Sequence, residues 1–573
     1  MTSLRIERLA LDSESVKVWA AGDARHRNWP VVYTLNNESS IYIGESLNAA
    51  TRMNQHIANG RGSLNAVRVV VDDRFNKSAC LDLESYLIRF FAGDGRFTVE
   101  NRNEGVTDAA YYDRGHYQQT FDQVFETLRK EGMFSQTIPQ IVNSDLFKLS
   151  PFKALTQDQA GAVNDILEGL FEDLENGRPS TIVIQGDPGT GKTIVAIYLM
   201  KLLSDIRSHH NEDLVESDSI FAEYFLEGYP ELLRDFRVAL VVPQQSLRQS
   251  IQNVFAKTPG LGKGMVISQF DVGFSETPYD LLIVDEAHRL SQRANQSSGV
   301  RNRDFQRINE RLFGSDDNAL TQLDWIKKQS THQIFLVDAA QSVRPADLPR
   351  ERLKSLLSEA KDDHRLYPLL TQMRLQAGED YVTYVRSMLT ESAPQPQRFG
   401  EYEFALYDDL KEMLAKIREK EQESKLARLV AGYAWPWVSK KHPKAYDIEI
   451  DDCRLRWNST DRDWINSPKS VNEVGSIHTV QGYDLNYAGV IIGPELKYNR
   501  SLQRIVVDRS NYHDKKGKEN NPRLGIVYSD QQLLEYIVNI YGVLLTRGMR
   551  GTYVYVCDPA LRTYLSRFIP RAM

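Results

Sequence analysis

Beyond about residue 151 one pattern recurs along the chain: a short unbroken apolar run, a polar or glycine-rich loop, and then a helical stretch. "TIVIQ", "VALVVP", "LLIVD" and "QIFLVD" are the clearest of these runs. They are too short for helices and do not alternate, so they read as strands buried on both faces of a parallel sheet. Two such α/β units fit the remaining length, 151–365 and 366–573, with the break near Arg365. Earlier in the chain the pattern differs. Residues 28–115 mix short alternating strands with two helical segments, and residues 116–150, around "FDQVFETLRKEGM", read as a helical connector. The expected fold class is α/β: a small mixed α/β domain followed by two parallel-sheet domains.

Within the small domain, "VVYTLNNESSIYIGES" (31–46) reads as a hairpin of alternating strands. In "SLNAATRMNQHIANG", Ser46 or Asn48 caps a helix that Gly60 ends, and Arg52 and His56, four positions apart, share one face. A second helix, "SACLDLESYLIRFFAG", sets Glu84 among Leu83, Leu87, Ile88 and Phe91. A carboxylate in that company needs a metal or an arginine, unless the helix rolls it to a solvent edge. From the helix alone both readings stand.

Length and composition narrow the class. At 573 residues the chain exceeds one hydrophobic core, so about three or four domains are expected. It is 41% hydrophobic and 26% charged, and no apolar run reaches the roughly eighteen residues needed to span a bilayer. The N-terminus lacks the apolar core of a secretory signal, so a cytoplasmic protein is expected. Cys80, Cys453 and Cys557 lie too far apart for a disulfide framework or a cysteine zinc site. His209 and His210 have no ligand at metal spacing and read as solvated. With a net charge of −7, any nucleic-acid binding must use local basic grooves rather than the overall field.

The first parallel-sheet unit carries the strongest chemical signal. Gly186-Asp187-Pro188-Gly189-Thr190-Gly191-Lys192-Thr193 is a complete phosphate-binding loop between a buried strand and a helix. Its glycines let backbone N–H groups point at phosphate oxygens, Lys192 neutralises phosphate charge, and the Thr193 hydroxyl is a ligand for Mg²⁺. Downstream, "YDLLIVDEAHRL" delivers Asp285 and Glu286 to a strand end, where parallel sheets bind ligands. Asp285 is the second Mg²⁺ residue, and Glu286 orients and polarises the attacking water.

From about residue 151 to 573 these stretches, taken in order, resemble a superfamily 1 helicase, most closely the Schlafen-like branch. The resemblance implies two RecA-like domains that use ATP and Mg²⁺. "LTQDQ" is similar to the adenine-reading glutamine motif and nominates Gln159. "FLVDAAQSVRP" is similar to motif III, with Gln341 near the γ-phosphate and Asp338 at the strand end. "LTQMRLQ" resembles motif IV and nominates Arg374 as an arginine finger. "GSIHTVQGYDLNYAGVIIG" resembles motif V, which places Gly482 at the nucleotide. "YGVLLTRGMRGTYVYV" resembles motif VI and nominates Arg547 as the second finger, with Arg550 equally readable as structural. "RLVAGYAWPWVSKKHPK" also matches that branch; Trp435 and Trp437 beside Lys440 and Lys441 read as domain packing first and base stacking second.

The N-terminal constellation resembles the GIY-YIG nuclease domain over roughly residues 28–115. Tyr33 and Tyr42 match the paired tyrosines, Gly44 the close turn, Arg52 the phosphate-stabilising arginine and Glu84 the ligand of one divalent metal, Mg²⁺ or Mn²⁺. Asn101 matches the family asparagine, with Asn103 a near neighbour, and His56 falls where some members carry a catalytic histidine. Val31-Val32-Tyr33 stands where the family has Gly-Ile-Tyr, and the hairpin turn is short for the family. Either Tyr33 or His56 serves as base for the attacking water.

These resemblances together imply an ATP-dependent nuclease-helicase acting on nucleic acid, DNA ahead of RNA, in defence against foreign DNA or in DNA processing. The alternatives are a translocase or nucleotide-gated sensor whose N-terminal domain only binds nucleic acid, and an RNA-directed enzyme.

Overall fold

A computed structural model describes residues 4–59, 63–101, 111, 114–208, 220–226, 228–293, 296, 299–338, 346–371, 377, 380–390, 393–460, 464–480, 484–514, 517–518, 520 and 525–572. The chain divides into two compact units: Met1–Phe171, Ile194–Asp235 and Ser250–Met265 form one, and Glu172–Thr193, Phe236–Gln249 and Val266–Met573 the other. Asn103, His209, His210, Gln341, Arg374 and Gly482 lie outside the described residues.

The first unit is built on a five-stranded sheet of β1 (Arg5–Ala10), β2 (Val31–Asn36), β3 (Ser40–Ser46), β4 (Ala66–Val71) and β5 (Thr98–Val99), in the order β1-β4-β2-β3-β5. The expected hairpin is present: β2 and β3 pair antiparallel, with Tyr33 opposite Gly44 and Leu35 opposite Tyr42. Alternation then divides the side chains between two cores. Val31, Tyr33 and Leu35 pack with Ala49 and Met53 of helix Ala49–Ala58, while Val32, Ile41 and Ile43 pack with Cys80, Leu83 and Leu87 of helix Lys77–Asp94. Of the two caps foreseen for the first helix, Asn48 does the work, its side chain accepting from Thr51 N–H. The second starts at an Asn76 cap and stops at Gly95, whose φ of +67° suits a residue without a Cβ. The connector is helical over Arg114–Lys130 and buries Phe121, Val124, Phe125 and Leu128.

The second unit holds two parallel sheets. The first contains β6 (Ser180–Gly186), β7 (Val238–Val241), β8 (Val266–Ile267), β9 (Tyr279–Val284), β10 (Ser330–Val337) and β11 (Leu366–Leu369), all parallel, in the order β11-β6-β10-β9-β7-β8. The four apolar runs read from the pattern are β6, β7, β9 and β10. The second sheet contains β12 (Glu403–Tyr407), β13 (Ala427–Ala431), β14 (Ile448–Ile450), β15 (Cys453–Trp457), β16 (Glu473–Ser476), β17 (Leu485–Ile492) and, beyond the small ribbon β18 (Leu496–Asn499) and β19 (Arg504–Val507), β20 (Gly548–Val556). Only its β14–β15 edge is antiparallel. Two strands fall outside the bounds expected from the pattern. β1 precedes residue 28, and β11 follows Arg365 yet pairs with β6, because sheet membership is set by distant pairing that no local pattern carries. No helix among the described residues is long and apolar enough to cross a membrane.

Just past β17, Glu495 is fully buried, accepts the Tyr541 hydroxyl through Oε1, and has no protein partner at Oε2. Burial pushes its carboxyl up to about 7, although the Tyr541 bond works the other way. Between the unfolded value and about 7 the native state holds the extra proton, so its stabilising contribution is full at acid pH and is lost as pH rises through that window. Glu495→Gln keeps the acceptor for Tyr541 but cannot ionise. The melting temperature of this variant, relative to wild type, is expected to rise between pH 5 and pH 8 by the equivalent of at most about 3 kcal/mol. A difference that stays constant across that range would refute the assignment.

Candidate functional site

The phosphate-binding loop leaves β6 at Gly186 and enters helix Lys192–Arg207. Gly189 and Gly191 take φ of +91° and +81°, the left-handed region where a side chain is strained. A Cβ on Gly186 would lie 2.5 Å from Thr190 Oγ1 and 3.1 Å from the Leu369 carbonyl, so the loop closes against β11 only with glycine there. Lys192 is 6% exposed, and its ammonium donates to the Gly186 and Asp187 carbonyls at 2.6 and 2.9 Å. Thr193 Oγ1 donates to Asp285 Oδ2 at 2.8 Å, which brings together the two oxygen side chains assigned to Mg²⁺.

Asp285 has no exposure. Burial, and then the adjacent Glu286, push its carboxyl above the usual range, while Thr193 and Lys192 pull it back. Such a carboxylate suits a cation, whose charge offsets the burial. Glu286 takes φ of +50°, which turns its side chain out of the strand direction, and its N–H donates to Asp285 Oδ1 at 2.9 Å. For Glu286 burial acts upward, but His288, Lys192 and Arg289 outweigh it and hold the carboxylate ionised.

His288 belongs to the "DEAH" stretch, but no local pattern there marks it as functional. It is buried, its Nδ1 accepts the Asp338 N–H at 3.2 Å, and its Nε2 stands 3.1 Å from Glu286 Oε2. The Asp338 bond puts the ring proton on Nε2, toward Glu286. Arg386 is a second residue that no motif flagged. From helix Asp380–Met388 its guanidinium reaches Asp187 Oδ1 of the loop at 2.9 Å and Asp338 Oδ1 at 3.8 Å.

Each of the other helicase-type nominations among the described residues has its own local setting. Gln159 is buried in the first unit, where its side-chain oxygen accepts the Thr156 N–H at 3.1 Å and caps its own helix. Arg547 is 3% exposed in the turn between helix Asp530–Leu545 and β20, and Arg550 is exposed on β20. Trp435 and Trp437 pack against the core around Trp457, with Lys440 Nζ 4.8 Å above the Trp437 ring.

In the first unit the hairpin and its two helices bring the N-terminal candidates together. Tyr33 is fully buried, and its hydroxyl stands 2.8 Å from His56 Nε2. The Tyr42 ring meets the His56 ring edge-on with centroids 5.1 Å apart and the Tyr33 ring at 6.3 Å. Arg52, half-buried one turn before His56, couples electrostatically with both tyrosine phenols and bonds Gln55 Oε1 at 3.0 Å. Burial, then Tyr42, pushes the Tyr33 phenol well above its ordinary range; Arg52 opposes this and the nearby Glu84 adds to it. The phenol is therefore protonated at neutral pH, and the His56 tautomer sets the direction of the bond between them. Glu84 is half-buried, so neither the fully sunk nor the fully solvated placement applies. Asn101 uses both amide atoms on the backbone of Ile43, accepting its N–H at 3.0 Å and donating to its carbonyl at 2.7 Å. It takes the place of a strand neighbour where β5 ends, and so positions the Tyr42-Ile43-Gly44 edge.

Two parallel sheets, a phosphate-binding loop and a buried acidic strand end define a nucleotide-dependent motor domain. The family profile "Schlafen group 3, DNA/RNA helicase domain" matches residues 179–558, and the chain belongs to this family. It is 26% identical to an uncharacterised protein of Saccharomyces cerevisiae over 417 residues, covering 68% of this chain and 84% of that one. It is also 29% identical over 192 residues to the ATP-dependent DNA helicase RecG of Aquifex aeolicus, covering 31% of this chain and 23% of that helicase. The RecG of Borreliella burgdorferi is 26% identical over 148 residues, covering 24% and 20% of the two chains.

Gly44 makes room for the Tyr33 ring. A Cβ there would lie 2.5 Å from Tyr33 Oη and 2.6 Å from Cζ. Because Tyr33 is enclosed, Gly44→Ala is expected to cost about 1–3 kcal/mol by overpacking. Urea denaturation followed through the first unit measures it, and an unchanged midpoint would mean that the ring moves aside freely.

Proposed function

We propose that the protein is an ATP-driven nuclease-helicase: its two RecA-like domains move on nucleic acid, and its N-terminal GIY-YIG domain cuts phosphodiester bonds. The observation that carries the nuclease half is the meeting of Tyr33, Tyr42, Arg52, His56 and Glu84 around one buried phenol. A module that only binds nucleic acid needs no protonated tyrosine relayed to a histidine.

For the motor, Lys192 balances phosphate charge, and Glu286, held ionised and faced by the His288 N–H, orients the attacking water. Thr193 and Asp285 are hard oxygen donors already paired, which fits Mg²⁺, and the bound ion would neutralise charge on the phosphates. Arg547 and Arg374 are the candidates for compensating transition-state charge.

For the nuclease, His56 is the proton acceptor. Water gives its proton to the Tyr33 oxygen as the phenolic proton passes to His56 Nε2, so the buried phenol relays charge without becoming a free phenolate. Arg52, beside both hydroxyls, offsets negative charge on the scissile phosphate. Among the described residues no group of three or more His, Cys, Asp or Glu forms a metal cage. That fits a hard cation bound by Glu84 alone, with the remaining positions left to water and phosphate. Mg²⁺ or Mn²⁺ held there would act as Lewis acid on the phosphate. The names of the RecG relatives favour DNA, and the family description covers RNA as well. Defence against foreign DNA, or DNA processing, is the setting this pairing suits.

Purified wild type, Glu84→Ala, His56→Ala and Lys192→Ala are incubated with labelled single- and double-stranded DNA and RNA, in Mg²⁺ or Mn²⁺, with and without ATP. Wild type is expected to cut DNA, Glu84→Ala to cut none, and His56→Ala to cut about 100-fold more slowly. Lys192→Ala is expected to lose ATP hydrolysis. Equal cutting by Glu84→Ala would end the nuclease reading, and full hydrolysis by Lys192→Ala the motor reading.

A further inference from the structure

Arg386 belongs to the second parallel sheet yet touches the loop of the first. Its helix, Asp380–Met388, buries Tyr381, Val382, Val385 and Met388 in the core of the seven-stranded sheet. Two tyrosines fasten it there: the Tyr381 hydroxyl donates to the Leu545 carbonyl at 2.9 Å and the Tyr384 hydroxyl to the Phe568 carbonyl at 2.8 Å. From this anchored helix Arg386 bonds Asp187, whose own carbonyl accepts Lys192 and Thr190 within the loop. Its second amine lies 3.8 Å from Asp338, the residue whose N–H fixes His288 against Glu286. One side chain thus connects the second sheet both to the phosphate loop and to the residues that hold the hydrolytic carboxylate.

The two carboxylates facing Arg386 are unequal. Asp338 is almost wholly buried, whereas the Asp187 side chain is 52% exposed and its ion pair with Arg386 is screened by water. A terminal phosphate on the loop would offer the same guanidinium a forked, charge-assisted contact that an exposed carboxylate does not match. We propose that Arg386 is a triphosphate-sensing residue: it rests on Asp187 when the loop holds no γ-phosphate and exchanges Asp187 for that phosphate when ATP binds. Closure of the second sheet on the loop then depends on which nucleotide is present. Asp187 acts as a built-in competitor, lowering ATP affinity without contributing to catalysis.

This inference rests on the loop being an ATP site, and the experiment separates the two claims. Affinities for fluorescent ATP and ADP analogues at fixed Mg²⁺ are measured by titration for wild type, Arg386→Ala, Arg386→Lys, Asp187→Asn, the double variant Asp187→Asn/Arg386→Ala, and Lys192→Ala, with thermal melts as folding control. Arg386→Ala is expected to weaken ATP about tenfold and leave ADP within about twofold, the loss of one charge-assisted contact. Arg386→Lys should recover part of that loss. Asp187→Asn is expected to tighten ATP several-fold, and that gain should vanish in the double variant. Equal weakening of ATP and ADP by Arg386→Ala, or a gain from Asp187→Asn that survives without Arg386, would overturn the proposal. Unaltered ATP binding by Lys192→Ala would instead overturn the ATP site itself.

Discussion

A carboxylate without solvent exposure at the end of β9 is the constraint around which the motor half is arranged. Burying Asp285 is unfavourable unless its charge is met locally, and its partners are the Thr193 hydroxyl and the field of Lys192 from the phosphate-binding loop, with the N–H of the adjacent Glu286. They converge because β6 and β9 flank β10 in parallel register, so the loop after one and the acidic pair after the other leave the same sheet edge. Gly186, tight against Thr190 and the Leu369 carbonyl, shows how little slack that edge leaves.

The N-terminal cluster handles polar burial in the opposite way. Where Asp285 is charged and compensated, Tyr33 stays neutral, its hydroxyl hydrogen-bonded with His56 and its ring accommodated by the bare backbone of Gly44. Arg52 supplies positive charge that favours the ionised form of both phenols, against the effect of burial on Tyr33. A neutral phenol held between a histidine and an arginine leaves no uncompensated charge in the core.

What could be read from the sequence follows from how local each signal is. β6, β7, β9 and β10 were legible because a strand buried on both faces writes its burial into consecutive apolar residues. β1 and β11 were not, since their membership depends on pairing with β4 and β6, far away in the chain. The loop was legible because its chemistry is contiguous, and the shared face of Arg52 and His56 because helical spacing is a local fact, whereas the setting of Glu84 was not decided by its own helix. His288 stood in plain view, yet its link to Asp338 spans fifty residues and required the fold. Asn101 had the expected residue type, but only the structure shows its amide completing the edge of β3. The tryptophans near Lys440 pack as the simpler reading held.

Arg386 was invisible for a different reason: it sits in an ordinary amphipathic helix with no neighbouring motif. Its position makes sense through the contrast between its partner and the Thr193–Asp285 pair. An ion pair as exposed as Arg386–Asp187 contributes little to stability, since water and salt screen it and two side chains must be ordered to form it. The Thr193–Asp285 bond ends on a carboxylate with no exposure, and breaking it would leave a buried carboxylate oxygen unmatched. A motor must keep the second contact through each turnover and release the first. Weakness at Asp187 is therefore what lets the second sheet respond to a phosphate, whereas a buried pair at that position would have fixed it in one state.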